Sequence, residues 1–143
     1  PANAFSYEIM CQGRDKLEYY LADYKRRADS LSKKEQDTLR DMRVVQEMYA
    51  RGFEFEPIDI YTAKAKDFQI INHKLMPSLS SIDGMGDKAA DGVVDAVKDG
   101  IFLSREDFRN RTKVSKTICD LMADLGLLGD LPESNQLSLF DFA

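Results

Sequence analysis

The sequence predicts a mostly α-helical fold with a small β segment. Three observations carry that expectation. Apolar residues recur at three- and four-residue steps through most of the chain, which is helical spacing. One window, residues 53–76, alternates instead. A Gly-x-Gly turn at 84–86 is followed at once by a further helical stripe. The 143 residues suffice for one modest core or two small subdomains, and 43% hydrophobic with 31% charged residues is an ordinary globular balance. No apolar run reaches the roughly 18 residues of a membrane span. No signal-peptide pattern opens the chain. Cys11 and Cys119 stand far apart, outside any Cys-x-x-Cys arrangement, and read as reduced core thiols of a cytoplasmic protein.

Two helices are expected in the first fifty residues. Leu17, Tyr20, Leu21, Tyr24 and Ala28 make one stripe. Ser32-Lys33-Lys34-Glu35 is a capping-box signature that opens the second helix. Leu39, Met42, Val45, Met48 and Tyr49 then point inward, and Arg51-Gly52 closes the element with a C-terminal glycine. The runs Lys25-Arg26-Arg27 and Lys33-Lys34 could face phosphates, but solvated helix faces explain them as well.

Phe53-Glu54-Phe55-Glu56 and Ile58-Asp59-Ile60-Tyr61 alternate, and Phe68-Gln69-Ile70-Ile71 leads through Asn72-His73-Lys74 to Leu75-Met76. Short strands joined by turns are expected, with His73 in a turn. No cysteine, histidine or carboxylate cluster surrounds His73 in sequence, so it reads as a turn residue and no metal site is expected.

Leu79-Ser80-Ser81-Ile82-Asp83-Gly84-Met85-Gly86-Asp87-Lys88-Ala89-Ala90 has the pattern of a helix-hairpin-helix element. Leu79 and Ile82 mark a short first helix. Gly84-Met85-Gly86 supplies the tight turn, and Ala89, Ala90, Val93, Val94 and Val97 form the second helix's stripe. Free N–H groups at that helix's start can donate to a DNA phosphate, and Lys88 adds charge. Such contacts carry no base readout. Ile82 and Val93 should be buried together. Asp83 and Asp87 bracket the proposed phosphate position and weaken it electrostatically, unless Asp87 serves as the helix N-cap.

A second, degenerate copy follows. Ser104-Arg105-Glu106-Asp107 opens one short helix. Ser115 caps another, which turns Ile118, Leu121, Met122 and Leu125 inward and ends at Gly126. Asn110-Arg111-Thr112-Lys113-Val114 would be the hairpin, without glycines. From 104 to 116, Arg105, Arg109, Arg111, Lys113 and Lys116 face only Glu106 and Asp107, a local balance of +3 in a chain of −5. Such a patch suits phosphates, and a solvated surface is the alternative.

Leu131-Pro132-Glu133-Ser134-Asn135 reads as a polar linker. Beyond it, Gln136-Leu137-Ser138-Leu139-Phe140 puts three large apolar residues near a terminus, to be docked on the home domain or in a partner's pocket. The pentapeptide resembles the sliding-clamp-binding peptide of bacterial replication and repair proteins. That likeness implies that Gln136 bonds at the rim of the clamp pocket, that the pair Leu139-Phe140 fills its apolar cleft, and that Leu137 also belongs to the clamp-binding set. The tail is expected to be flexible in the free protein.

Together and in this order, the motifs resemble the C-terminal end of the Gram-positive DNA polymerase III alpha subunit of the PolC type. The likeness runs roughly from Asp59-Ile60-Tyr61 to Phe140. It is most specific at Ile82 to Gly86, Phe102 to Asp107, Lys113 to Thr117 and Asn135 to Phe140. One departure is Asp83, where the family often has proline. The resemblance implies a division into a helical fingers fragment (1–57), a short strand segment (58–76), a tandem helix-hairpin-helix duplex-binding module (77–128) and a linker with clamp-binding tail (129–143). DNA-binding residues would be Gly84, Met85, Gly86, Lys88, Arg105, Arg109, Arg111, Lys113 and Lys116. Duplex DNA, the sliding clamp and upstream polymerase domains would be the partners, with no membrane.

Catalytic residues are not expected in this chain. Nucleotidyl transfer needs carboxylates holding two metal ions about 4 Å apart, whereas Asp59, Asp67 and the other acids here are scattered. No P-loop or nucleophile–histidine set is present. The resemblance implies that catalysis, with its Mg2+, belongs to a palm domain upstream in a DNA-directed DNA polymerase. The start Pro-Ala-Asn fits a piece of a longer chain, or equally removal of an initiator methionine. A free-standing, non-catalytic adaptor that binds DNA and recruits the clamp is the alternative.

Overall fold

The computed structural model describes residues 5–134. Among these described residues, six α-helices and one two-stranded antiparallel sheet follow in the order α1 (Tyr7–Met10), α2 (Arg14–Arg26), α3 (Lys33–Ala50), β1 (Gln69–Ile71), β2 (Lys74–Met76), α4 (Asp87–Val97), α5 (Arg105–Thr112) and α6 (Lys116–Asp124). The fold is mostly helical with a minor β part, as the apolar spacing indicated.

Helices α2 and α3 form because their stripes meet. Leu17 and Leu21 from one face and Met42 and Val45 from the other are buried, each contributing about 1.5–3 kcal/mol. The capping box is complete: Ser32 Oγ accepts from the Glu35 N–H, and Glu35 Oε1 from the Ser32 N–H, both at 3.1 Å. Gly52, at φ 88°, ends α3 with Gly52 N–H donating to the Tyr49 carbonyl and Phe53 N–H to that of Met48. Two details differ from expectation. Ala28 is not on the α2 stripe, because the helix stops at Arg26 and Ala28 sits exposed in a 3₁₀ turn. Helix α1 has no signature in the sequence, since four residues are too few to show a period. It is held by its buried Tyr7 and Met10 and by Tyr49, whose hydroxyl donates to the Met10 carbonyl (2.7 Å) and accepts from the Gly13 N–H (3.2 Å). Burial pushes that phenol up to about 12.

The strand window is only partly β. β1 and β2 pair with Ile70 opposite Leu75, through Asn72 and His73, both at positive φ as a tight two-residue hairpin requires. Phe53–Glu56 adds a single parallel bridge, Phe55 to Leu75, rather than a strand. Ile58–Tyr61 is not a strand either. Its alternation is real in burial, with Ile58 and Ile60 inside, but Pro57 has no N–H to donate. Asp59 then bends the chain: its Oδ1 accepts from Tyr61 N–H and its carbonyl from Ala63 N–H.

This irregular segment joins the two halves. Tyr61 stacks on Phe102 at 5.7 Å and its hydroxyl accepts from the Phe102 N–H, while Leu79 and Ser80 N–H donate to Lys64 and Ala65. One continuous core results, running from Tyr7 to Leu128. Cys11 and Cys119 are buried free thiols within it, and burial raises both above their ordinary value.

Candidate nucleic-acid interface

The first hairpin is built by glycines. Leu79–Ser81 is a 3₁₀ turn rather than an α-helix, and Ile82 leaves it extended. Met85 N–H closes a four-residue turn onto the Ile82 carbonyl (3.0 Å), with Gly84 at φ 83° in the third position. That is the type II arrangement, in which the third position needs glycine and the second suits proline. Asp83 fills the second position here. Ile82 and Val93 are both buried. Gly86, not Asp87, is the N-cap of α4, and no side chain caps it. The N–H groups of Asp87, Lys88 and Ala89 therefore open outward, without helical partners. Asp87 is the first helical residue, and its carboxylate meets Lys66 at 3.5 Å. Lys88 is exposed, with no ion pair among the described residues. Met85 is buried, so only its backbone is available at the turn.

The second hairpin also sets a left-handed residue two positions before a helix N-cap, but without glycine. Helix α5 runs on through Thr112, further than the sequence suggested, and Lys113 takes the left-handed conformation (φ 66°) that a glycine usually supplies. Thr112 is buried and makes this possible: its Oγ1 donates to the Phe108 carbonyl at 2.7 Å and accepts from Val114 N–H at 3.2 Å. Ser115 caps α6 by accepting from Ile118 N–H. Lys113 and Lys116 are exposed at the turn, Lys116 paired with Asp120 at 2.9 Å.

Two glycines set the hairpins against each other. A Cβ on Gly84 would lie 2.7 Å from Ile118 Cδ1, so the first turn rests on the first turn of α6. A Cβ on Gly92 would lie 2.4 Å from the Thr112 carbonyl oxygen, so α4 and α5 approach to a glycine's width. Sequence reasoning missed Gly92. Its only signal is a lone glycine inside an otherwise regular helical stripe.

Of the basic residues, Arg111 is put to a different use from the one expected. Its guanidinium donates to the carbonyls of Ala96, Gly100 and Ile101, each at 2.8 Å, and to Asp107 at 3.3 Å. It also lies 4.4 Å over the Phe102 ring. With both terminal nitrogens occupied, it clamps the end of α4 to α5. Arg105 is half-buried, with its Nε covered and unpartnered. Arg109 pairs with Glu133 at 3.0 Å. The linker reading for 131–134 also changes: Arg105 N–H donates to the Pro132 carbonyl (2.8 Å) and Glu106 N–H to that of Glu133 (3.0 Å), so the segment is bonded to α5. Gln136, Leu137, Leu139 and Phe140 lie outside the described residues.

Among the described residues, no three or more His, Cys, Asp or Glu side chains gather as a metal site, and no helix is long and apolar enough to cross a membrane. What remains is a pair of touching hairpins that present backbone donors and lysines.

This arrangement defines a class of domain. The chain matches the family described as the helix-hairpin-helix motif over residues 52–137 and belongs to it. Across nearly its whole length it is also similar to proteins named DNA polymerase III PolC-type. Identity is 39% over 139 residues with that of Caldanaerobacter subterraneus subsp. tengcongensis and 39% over 142 residues with that of Streptococcus sanguinis, covering 97% and 98% of this chain. With that of Bacillus cereus it is 37% over 97% of the chain. The chain spans about a tenth of the length of these relatives (10% of each).

Proposed function

We propose that this chain is the part of a PolC-type replicative DNA polymerase that grips duplex DNA and tethers the enzyme to the sliding clamp. The observation that carries the duplex-binding half is the contact of Gly84 with Ile118. It brings the uncapped start of α4 beside the first turn of α6, so two phosphates on one backbone can be held at once. Gly84, Gly86 and the Met85 backbone form the first cradle, with Lys88 beside it. Lys113 and Lys116 serve the second, with Arg109 a turn away. The contacts are to phosphates, so binding is independent of base sequence and depends on salt. The clamp half rests on Gln136-Leu137-Ser138-Leu139-Phe140 alone. Upstream domains of the parent, in the cytoplasm, would carry out nucleotidyl transfer. Its Mg2+ would be held by carboxylates of those domains, since no three His, Cys, Asp or Glu side chains gather among the described residues of this chain.

Two titrations test the reading. Duplexes of unrelated sequence should bind alike, and Gly84→Val should weaken both. A marked preference for one sequence would sink the backbone reading. For the tail, Leu139→Ala/Phe140→Ala should weaken binding to the purified clamp by about two to four orders of magnitude, at roughly 1.5–3 kcal/mol per side chain buried. Gln136→Ala should cost about 0.5–1.5 kcal/mol. Equal clamp affinity would remove the tether and leave the duplex reading standing.

A further inference from the structure

The basic patch along the sequence is not the patch in space. Segment 128–133 leaves α6 and returns to the start of α5, where the Pro132 and Glu133 carbonyls accept the Arg105 and Glu106 N–H groups. Ser104 Oγ accepts the next one, from Asp107, at 2.9 Å. All three first-turn donors of α5 are thereby satisfied by the chain itself, so this helix start, unlike that of α4, is closed to phosphate. The same two backbone bonds fix Glu133 in place. Its carboxylate then meets Arg109 Nη1 at 3.0 Å. Arg109 is mostly covered, at 22% side-chain exposure, while Glu133 is open, at 61%.

We propose that Glu133 is an affinity-setting residue of the DNA interface, a built-in competitor that occupies Arg109 until a phosphate replaces it. This rests on the duplex-binding reading given above. The exchange is chemically simple: one oxyanion leaves a guanidinium and another takes its place, with no net change at Arg109. Glu133 can leave cheaply because its side chain is exposed and water solvates it, while its backbone bond to Glu106 stays made. Its influence reaches Lys116 as well. Asp120 first, and then the Glu133 charge, holds that ammonium above its ordinary value, and Glu133 is the leading cause of the same shift at Arg109. Segment 128–133 thus lowers the charge of the second hairpin from the outside, by a residue well beyond the basic stretch 104–116.

The test is a fluorescence-anisotropy titration of a short blunt duplex with the full chain, its Glu133→Gln, Arg109→Ala and double variants, and Gly84→Val as a control on the hairpin. Glutamine keeps the shape and the backbone bonds, so the thermal midpoint should hold. Glu133→Gln should bind duplex about two- to fivefold tighter, the range an exposed ion pair allows. The gain should shrink as salt rises and disappear in the Arg109→Ala background. A gain that persists without Arg109 would overturn the competition, because the carboxylate would be acting only as a diffuse charge. Unchanged or weaker binding by Glu133→Gln, with Gly84→Val still impaired, would refute the proposal and spare the hairpin reading. Absence of duplex binding by the unmodified chain would overturn both.

Discussion

The two hairpins place a left-handed residue two positions before a helix N-cap by opposite chemistry. The first spends glycines: Gly84 supplies the positive φ, and Gly86 leaves the start of α4 without a side-chain cap. The second spends side chains: Thr112 builds the turn, Lys113 is held left-handed at a cost of about 1–2 kcal/mol, and Ser115 caps α6. Asp83 and Asp87 flank Lys88 at the first, while the exposed turn of the second carries Lys113 and Lys116. In the proposed function the first hairpin therefore offers shape and bare N–H groups, and the second offers charge.

The largest effect expected is at Gly84. Valine there meets positive φ, about 1–2 kcal/mol, and crowds Ile118, about 1–3 more. Urea unfolding should show a loss of about 2–5 kcal/mol. A loss under about 1 kcal/mol would mean that the hairpins are not packed as described. Next comes Arg111→Ala, which removes the clamp on three carbonyls and should cost about 1.5–3 kcal/mol. It should leave the salt slope of duplex binding unchanged under conditions where the variant stays folded. A slope reduced by about 0.9 would return Arg111 to the phosphate contacts.

Smaller effects separate the hairpins further. Ser115→Ala should destabilise by about 1 kcal/mol, seen as a lower denaturation midpoint, because it uncaps α6. No equivalent loss exists at the first hairpin, where the cap is already glycine. Lys113→Gly should go the other way and stabilise by up to about 1 kcal/mol by relieving the left-handed backbone, while weakening duplex binding. Were it destabilising, the Lys113 conformation described here would be wrong.

Much of this was legible in the sequence because it depends on local rules. The capping box at Ser32, the stripe of α4 and the glycine turn at 84 each follow from residues within a few positions of one another. What escaped depends on distant partners. Arg111 looked like one more phosphate cation, since nothing local shows the carbonyls of Ala96, Gly100 and Ile101 waiting beside it. Glu133 looked like linker polarity for the same reason. Ile58–Tyr61 alternated like a strand but had no ladder to join, as Pro57 and Asp59 turned the chain away. Gly92 could be seen as an oddity within its helix, but the Thr112 carbonyl that explains it is contributed by α5.

The division of labour between the hairpins is what salt dependence reads most directly. Gly86→Ser has open space around it and should cap α4, adding a few tenths of a kcal/mol to stability while covering the N–H groups meant for phosphate. Lys113→Ala/Lys116→Ala removes two charges from the other turn. Duplex affinity measured from low to moderate salt should fall for both variants. Its log–log slope should stay at the unmodified value for Gly86→Ser. For the lysine pair it should drop by about 0.9 for each phosphate that is no longer neutralised. If Gly86→Ser binds as tightly as the unmodified chain, or if both variants change the slope alike, the first hairpin does not act through its bare backbone and the two hairpins do not divide the work.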